Sequence, residues 1–227
     1  MILAKPALDI GIQLAADTAE ELEAVLDAWQ AGAGVRPDHV LPLGGGRRQH
    51  RHAWGDSVIK LNHRRGGTAR GEASGWGPLR LAGPEHAEAH LVTDPEGNQV
   101  ACAPAAEVAL QVDLRVRDAD ASAAFFAALD LPVDGHVVQV GTSAIHIRTQ
   151  ADAPVDAVLE GTGLRYVTLQ VTAVDSAHAQ ALAAGAREGM APTTLGDVAR
   201  ISFVREPGGN WIELSQRRSV VGSLEPS

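Results

Sequence analysis

The sequence predicts an α+β protein in which a unit of one strand, one helix and three further strands (βαβββ) recurs about four times. Two observations carry this prediction. A turn signature occurs twice, as Asp94-Pro95-Glu96-Gly97-Asn98 and as Glu206-Pro207-Gly208-Gly209-Asn210, about 112 residues apart. Each half of the chain also opens with a strand followed by a helix. Because an internal repeat constrains the architecture, we expect repeated modules whose curled mixed sheets form half-barrels, with the helices outside.

The first half is predicted to contain one complete module and one shortened module. Asp17 and Thr18 are candidate N-caps of a helix, since their side-chain oxygens can accept hydrogen bonds from the first helical turn. The segment between Leu81 and His90 has no room for a full helix, so the second module is clipped. The strand-like segments of this half are 8–14, 39–43, 48–54, 57–62, 78–81 and the segments on either side of the first turn.

The second half repeats the pattern. Asp118 or Asp120 is predicted to cap its first helix, and Asp175 its second. Proline at the second turn position and glycine where a positive φ is needed explain the final turn, Glu206 to Asn210. The predicted strands of this half are 110–116, 136–140, 143–148, 165–171, 198–204 and 210–215.

Domain boundaries follow from the repeat. Residues 104–107 have the character of a linker, and residues 218–227 that of a polar tail. A chain of 227 residues is long enough for two domains of ordinary size. We therefore expect one domain over residues 1–104 and a second over residues 107–217.

Composition excludes several classes of function. The formal net charge of -9 argues against a nucleic-acid partner, which requires a basic surface. No apolar run approaches the roughly 18 residues needed to span a bilayer, so no membrane association is expected. Cys102 is the only cysteine and lies in an apolar stretch, so it is predicted to be an inert core thiol. These features predict a cytoplasmic protein.

The closing segment resembles a known family. Residues 201–214, Ile-Ser-Phe-Val-Arg-Glu-Pro-Gly-Gly-Asn-Trp-Ile-Glu-Leu, are similar to the F-x-x-D-P-D-G-N-x-I-E-L motif of the vicinal oxygen chelate superfamily. That superfamily includes glyoxalase I, extradiol dioxygenases, bleomycin-resistance proteins, fosfomycin-resistance enzymes and methylmalonyl-CoA epimerase. Residues 110–118 resemble its first strand and the start of its first helix. The resemblance supports the fold more strongly than any one reaction, because one fold hosts many chemistries.

The resemblance also implies a metal site. Gln111, His146 and Glu213 fall at ligand positions of the family, and together they would bind a divalent ion such as Zn, Fe, Mn, Ni or Co. Many members have histidine at the position of Tyr166. A tyrosine ligates only as phenolate, so Tyr166 is interpreted as an acid–base or substrate-orienting residue. Glu213 and Tyr166 are the predicted catalytic residues.

The first half departs from the ligand pattern. Its equivalent positions are Asp9, Lys60, a residue near Trp76, and Ala101. A lysine and an alanine cannot hold this metal, so the first half is expected to be metal-free and to serve as a structural partner or substrate wall. The histidines of this half, His50, His52 and His63, are a weaker candidate for a second metal site because no carboxylate accompanies them.

The resemblance implies a metal-dependent lyase or isomerase, glyoxalase-like, acting on a small substrate with two adjacent oxygens. One alternative is an Fe(II) extradiol-type ring-cleaving dioxygenase, although the set lacks the second histidine of the usual two-histidine, one-carboxylate triad. The other is a non-catalytic drug-binding protein of the bleomycin-resistance type, for which the acidic net charge would favour cationic drugs. The partner is a small molecule in each case, and the sequence permits a homodimer. Whether modules pair within or across the halves is left open.

Overall fold

A computed structural model of the chain describes residues 1–225 and consists of two curled, mixed β-sheets with few helices. Four modules build these sheets. Modules 1 and 4 form an eight-stranded sheet, and modules 2 and 3 form a seven-stranded sheet. The predicted fold class is therefore confirmed, and the modules pair across the two halves of the sequence.

The first half contains modules 1 and 2. Module 1 ends its helix in a π-helical turn, Ala28–Gly32, before its last three strands. Its elements are β1 (Leu3–Gln13), α1 (Ala19–Asp27), β2 (Arg36–Gly44), β3 (Arg47–Trp54) and β4 (Ser57–Arg64). Module 2 contains strands only, and these are β5 (Trp76–Gly83), β6 (His90–Thr93) and β7 (Gln99–Pro104).

The second half contains modules 3 and 4, which both keep their helices. Module 3 comprises β8 (Ala109–Val116), α2 (Ala119–Ala128), β9 (Val133–Asp134), β10 (Val137–Val140) and β11 (Ser143–Thr149). Module 4 comprises β12 (Gly163–Val171), α3 (Val174–Ala183), β13 (Arg187–Leu195), β14 (Ala199–Arg205) and β15 (Trp211–Arg217). A short helix, α4 (Arg218–Val221), lies in the segment predicted as a tail. The last two residues of that segment, 226 and 227, lie outside the described residues.

Helix caps explain where two of the helices begin. The Thr18 hydroxyl accepts a hydrogen bond from the Glu21 amide, and the Glu21 carboxylate accepts one from the Thr18 amide, which is a complete capping box. Asp118 caps α2 by accepting from the Ala121 amide at 2.9 Å. Each of these caps is one of the two candidates that the sequence offered for its helix.

Module 4 differs from its prediction in two places. Asp175 does not cap α3, because the helix begins at Val174 and the Asp175 carboxylate pairs instead with Arg200 at 2.7 Å. The sequence also gave no sign of the edge strand β13. Its exposure pattern shows no regular alternation, which removes the periodic signal that identifies a half-buried strand.

The eight-stranded sheet has the order β13-β14-β15-β12-β1-β4-β3-β2, and the seven-stranded sheet has the order β6-β7-β5-β8-β11-β10-β9. The four central strands of the eight-stranded sheet alternate between an apolar face and a more polar face. In β1 the apolar positions include Ile10 and Ile12, which belong to one large core cluster that runs through both sheets. The intervening positions, Asp9 and Gly11, lie on the opposite face because side chains alternate along a strand. Both faces are nonetheless buried at the centre of this sheet, so the polar side chains there have little exposure to bulk solvent.

The repeated turns have the same hydrogen bonding. The Asp94 carboxylate accepts from the amides of Glu96 and Asn98 and from the Asn98 side chain, and it also binds the indole N–H of Trp29 at 3.0 Å. Asp94 thereby links module 2 to the helical segment of module 1.

In module 4 the Glu206 carboxylate repeats this arrangement. It accepts from the amides of Gly208 and Asn210, from the Asn210 side chain, and from the Ser122 hydroxyl of α2 at 2.7 Å. Each repeated turn thus contains a carboxylate that accepts hydrogen bonds from its own turn and from the helical segment of the preceding module. We call this arrangement the carboxylate clamp.

Among residues 1–225, the structure contains no helix that is long and apolar enough to cross a membrane.

We predict that Glu206→Ala lowers the free energy of unfolding by about 3 kcal/mol, because several buried donors would lose their acceptor. Glu206 is fully buried. Urea unfolding monitored by circular dichroism measures the effect. Glu107→Ala, which removes an exposed carboxylate, is the matched control and should change little. A loss of less than about 0.5 kcal/mol in Glu206→Ala would show that the clamp does not stabilise the fold.

Candidate functional site

The polar face of the eight-stranded sheet brings together buried polar side chains from its four central strands. Asp9 lies on β1, Lys60 on β4, Thr168 on β12 and Glu213 on β15. Asp9 is paired with Thr168 across β1 and β12, and Thr168 with Glu213 across β12 and β15, so these three lie in one row. Two of the four strands come from each half of the chain, so neither half contains this site by itself.

Lys60 and Glu213 form an ion pair at the floor of the site. Lys60 Nζ lies 2.6 Å from Glu213 Oε2 and 2.6 Å from Thr168 Oγ1. The Thr168 hydroxyl donates in turn to Glu213 Oε2 at 2.6 Å. Burial lowers the pKa of Lys60, whereas the carboxylates of Glu213 and Asp9 act in the opposite direction. The short contacts with Glu213 and Thr168 favour the ammonium form.

Asp9 is a second buried carboxylate behind this pair. It accepts from Lys5 Nζ at 2.5 Å, from the Val58 amide at 2.9 Å and from Gln170 Nε2 at 2.8 Å. Burial alone would raise the pKa of Asp9, but the ammonium groups of Lys60 and Lys5 outweigh it and hold the pKa below its ordinary value. Asp9 therefore stays ionised and balances the charge of Lys60.

Tyr166 lies beside the ion pair and presents its hydroxyl to the site. The ring covers Gly11, where a Cβ atom would lie only 2.1 Å from the ring, so a glycine is required there. Lys60 Nζ lies 5.6 Å from the ring centroid. The phenol oxygen accepts from Asn62 Nδ2 at 3.2 Å. Burial and the charge of Glu213 raise the pKa of Tyr166 far above its ordinary value, so the phenol keeps its proton and acts as a donor.

A cavity of about 890 Å³ opens above these residues. One wall is aromatic: Tyr166 meets Phe203 edge to face at 5.4 Å, and Phe203 meets Trp211 at 6.2 Å. Gly189 makes room for Trp211, since a Cβ there would lie 2.1 Å from the indole. A large cavity with an apolar wall and a few converging polar groups is the usual form of a small-molecule site.

The cavity is positively charged although the chain is acidic overall. Four cationic side chains line it against two carboxylates, so its formal charge is +2 with histidine neutral. The cations are Arg47, Lys60, Arg64 and Arg217, and the carboxylates are Glu160 and Glu213. A concave site with excess positive charge attracts anions.

Gln111 and His146 lie on the other sheet. They occupy β8 and β11 of the seven-stranded sheet, whereas Glu213 and Tyr166 belong to the eight-stranded sheet. The Gln111 side chain accepts a 3.4 Å hydrogen bond from Arg80, which also pairs with Asp113. The fold thus brings Glu213 and Tyr166 together and does not bring Gln111 and His146 to them.

His146 is surrounded by positive charge. Burial lowers its pKa, and the guanidinium groups of Arg80 and Arg148 lower it further, against the opposing effect of Asp113. Its Nε2 atom is buried without a hydrogen-bond partner among residues 1–225. Two guanidinium groups beside the ring make this a poor position for a divalent cation.

Comparison with known proteins identifies the second half. Residues 109–214 match the sequence model of the Glyoxalase/Bleomycin resistance protein/Dioxygenase superfamily. Residues 109–214 belong to that superfamily. The family resemblance of the closing motif is thus confirmed. The matched segment comprises modules 3 and 4, which lie in different sheets. Each of these sheets is completed by a module of the first half.

Solved structures show the same fold over nearly the whole chain. Glyoxalase I from Zea mays has a TM-score of 0.75 at 14% identity, with 92% of each chain covered. A putative dioxygenase from Bacillus subtilis has a TM-score of 0.69 at 12% identity, covering 100% of this chain and 92% of that one. At such identity the likeness concerns the fold alone. No curated protein sequence matches the chain.

The residues present at the superfamily's metal positions do not fit a divalent ion in either sheet. In the eight-stranded sheet, Lys60 supplies a positive charge in direct contact with Glu213, the one carboxylate of the predicted ligand set. In the seven-stranded sheet, Gln111 and His146 lie beside Arg80. The carboxylate near them is that of Asp113, and it already forms an ion pair with Arg80. The ligand set implied by the resemblance is therefore not assembled as one site.

Sequence reasoning missed Asn62 and Thr168, although each lies two positions along its strand from a residue that the sequence analysis had named. Thr168 lies two residues after Tyr166 on one strand, so both face the same side. Asn62 has the same relation to Lys60. Lys60 was recognised only as a residue that cannot bind metal, and its role as the partner of Glu213 required knowledge of which modules pair.

We predict that Asp9→Asn is destabilising at neutral pH, by about 3 kcal/mol, because Lys60 and Lys5 lose a buried counter-charge. The pKa of Asp9 lies below its ordinary value of 3.8 in the folded protein. Its stabilising contribution is therefore complete above that value and is lost as pH falls through the lower folded pKa. Urea unfolding between pH 7 and pH 3 should show the wild-type advantage shrinking towards acid.

Asp56→Asn is the control for this titration, because Asp56 is exposed. Its effect on the free energy of unfolding at neutral pH should be small. A difference between wild type and Asp9→Asn that stays constant or grows towards acid would contradict the assigned charge state of Asp9.

Proposed function

We propose that the protein binds a small organic anion in the cavity of the eight-stranded sheet and catalyses a proton transfer on it without a metal ion. The reaction class is a lyase or isomerase. The observation that carries the proposal is the Lys60–Glu213 pair at 2.6 Å, on the face where the superfamily resemblance implied a metal. A lysine ammonium supplies a positive charge at that position and needs no other ligand.

Lys60 and Tyr166 are proposed to stabilise an oxyanion. An enolate-like intermediate gains negative charge on oxygen, and fixed donors aimed at that charge stabilise the transition state. The Tyr166 hydroxyl accepts from Asn62, so its own proton remains available for a ligand. Lys60 donates one hydrogen bond to Glu213 and one to Thr168. Because an ammonium group has three N–H donors, one donor remains for a ligand.

Glu213 is proposed as the proton acceptor. Both protein contacts of its carboxylate, from Lys60 and Thr168, use Oε2. Among the residues that the structure describes, no donor hydrogen-bonds to Oε1, and the side chain lines the cavity. A carboxylate held by one oxygen with the other turned to the ligand can remove a proton from a carbon beside a carbonyl, provided that the adjacent oxyanion is stabilised.

The substrate class follows from the charge and shape of the cavity. Arg47, Arg64 and Arg217 add positive charge around the cavity, and guanidinium groups bind carboxylates with two parallel hydrogen bonds. The wall of Phe203 and Trp211 offers an apolar surface. We propose an α-oxo or α-hydroxy carboxylate with an apolar substituent as the substrate. Its carboxylate would pair with the guanidinium groups, and its substituent would pack against the apolar wall.

A ligand-sequestering role is the second candidate, and the aromatic wall of Tyr166, Phe203 and Trp211 supports it. The cavity charge of +2 favours anionic ligands for this role too. The expectation that net acidity selects cationic drugs came from the whole chain, and the lining of the cavity gives the opposite preference. The metal-dependent enzyme and the ring-cleaving dioxygenase remain predictions from the family resemblance.

Isotope exchange tests the proposal. Protein treated with EDTA is incubated in D₂O with a panel of α-oxo and α-hydroxy carboxylates, and loss of the C–H signal beside the carbonyl is followed by proton NMR. We expect exchange of at least one member of the panel without added metal. Lys60→Met and Glu213→Gln should each lower the exchange rate by about 100-fold or more.

Tyr166→Phe keeps the ring and removes only the hydroxyl, so it tests the same site with less risk to folding. We expect a loss of about tenfold or more in exchange rate. Gln111→Ala and His146→Ala, which alter the seven-stranded sheet, are the matched controls and should keep the wild-type rate. Exchange that requires added Zn²⁺ or Ni²⁺ and is lost in His146→Ala would overturn the proposal in favour of the metal site. Saturable binding without exchange would favour the sequestering role.

A further inference from the structure

Module 2 has no helix, and a cluster of metal-ligating side chains lies beside its strands. His86, His90 and Cys102 place one ligand atom each within 4.8 Å of one another. His90 on β6 and Cys102 on β7 are direct cross-strand partners, and His86 lies in the loop before β6. None of the three lines the cavity of the eight-stranded sheet.

We propose that His86, His90 and Cys102 form a binding site for a thiolate-preferring transition-metal ion, with Zn²⁺ as the first candidate. Two imidazoles and one thiolate are ligand types that zinc and copper(I) prefer, and hard ions such as Mg²⁺ and Ca²⁺ avoid. The site is independent of the proposed reaction in the cavity.

His86 supplies the strongest evidence, because it is a buried polar side chain with an unused atom. The residue is 6% exposed, and its Nε2 atom has no hydrogen-bond partner among residues 1–225. Trp54 stacks on its ring at 5.1 Å and fixes the ring plane. Buried polar atoms are nearly always paired, so an unpaired one calls for a ligand. Its ring meets that of His90 at 5.3 Å.

His90 supplies the second imidazole of the cluster, and each of its ring nitrogens faces a backbone carbonyl oxygen. Its Nδ1 lies 3.1 Å from the Glu88 carbonyl oxygen and its Nε2 lies 3.1 Å from the Gly32 carbonyl oxygen. Both contacts favour the protonated ring and raise the pKa of His90. Metal binding therefore requires that one ring nitrogen give up its proton and its carbonyl partner. The other N–H then donates to a backbone carbonyl, as it does in most metal-binding histidines.

Cys102 would bind as a thiolate. It is 2% exposed and forms no disulfide, and burial raises the pKa of its thiol. On binding, the S–H proton leaves to solvent and a metal–sulfur bond forms, with no change of oxidation state. His90 is exposed, so an ion can reach the cluster from solvent. Three protein ligands leave a fourth tetrahedral position for water.

Cobalt(II) substitution tests the site on the full-length, reduced protein. Titration of Co²⁺ should produce a sulfur-to-cobalt charge-transfer band in the near ultraviolet that saturates at one equivalent, and Zn²⁺ should displace it. Native mass spectrometry should give the same stoichiometry with Zn²⁺. The Cys102→Ser variant should lose the band, and His86→Gln should weaken Co²⁺ binding by at least about tenfold.

His146→Gln is the matched control, since it alters a histidine of the same sheet outside the cluster, and it should bind Co²⁺ as wild type does. If Cys102→Ser does not fold, the wild-type titration and His86→Gln still decide the question. Absence of a charge-transfer band in wild type, or a band that is unchanged in His86→Gln, would overturn the proposal. Isotope exchange in the cavity is unaffected by His86→Gln, so the two proposals fail separately.

Discussion

The antiparallel pairing of β1 with β12 is the interaction on which the rest of the structure depends. It joins the first module to the last, with Asp9 opposite Thr168 and Gly11 opposite Tyr166. Only this pairing places Lys60 and Glu213, 153 residues apart in sequence, within 2.6 Å of each other. The equivalent pairing of β5 with β8 joins the two middle modules. The two sheets, the cavity above the polar face and the Lys60–Glu213 charge network follow from these two contacts.

The buried charge network explains why the cavity differs from a metal centre. Lys60, Glu213 and Asp9 are buried together, and each charge has an opposite charge as a partner. Buried pairs contribute little net stability, because desolvation offsets their attraction, but loss of one member leaves an uncompensated charge. The network lies beneath a cavity of formal charge +2, although the chain has a net charge of -9. The site therefore favours anions, which composition alone does not predict.

The two halves keep the same clamp and differ in what surrounds it. Asp94 and Glu206 satisfy their turns with equivalent hydrogen bonds, and each reaches the helical segment of the preceding module. Module 2 nevertheless has no helix. His86 and Trp54 stack beside its strands, next to the cross-strand pair of His90 and Cys102. The cluster of His86, His90 and Cys102 therefore lies beside a module whose strands carry no helix of their own.

The sequence by itself determined the modules, their capped helices and the repeated turns, because these depend on residues close together in the chain. It limited the caps of the first two helices to two candidates each, but it assigned Asp175 wrongly as a cap and did not predict the edge strand β13. The family resemblance, and not the local pattern, placed Glu213 and Tyr166 at inward-facing positions. Only the tertiary structure decided which modules share a sheet. Local patterns carry no information on that choice, since every module presents the same alternating faces. The long-range pairing separated Gln111 and His146 from Glu213 and gave Glu213 a lysine as its partner.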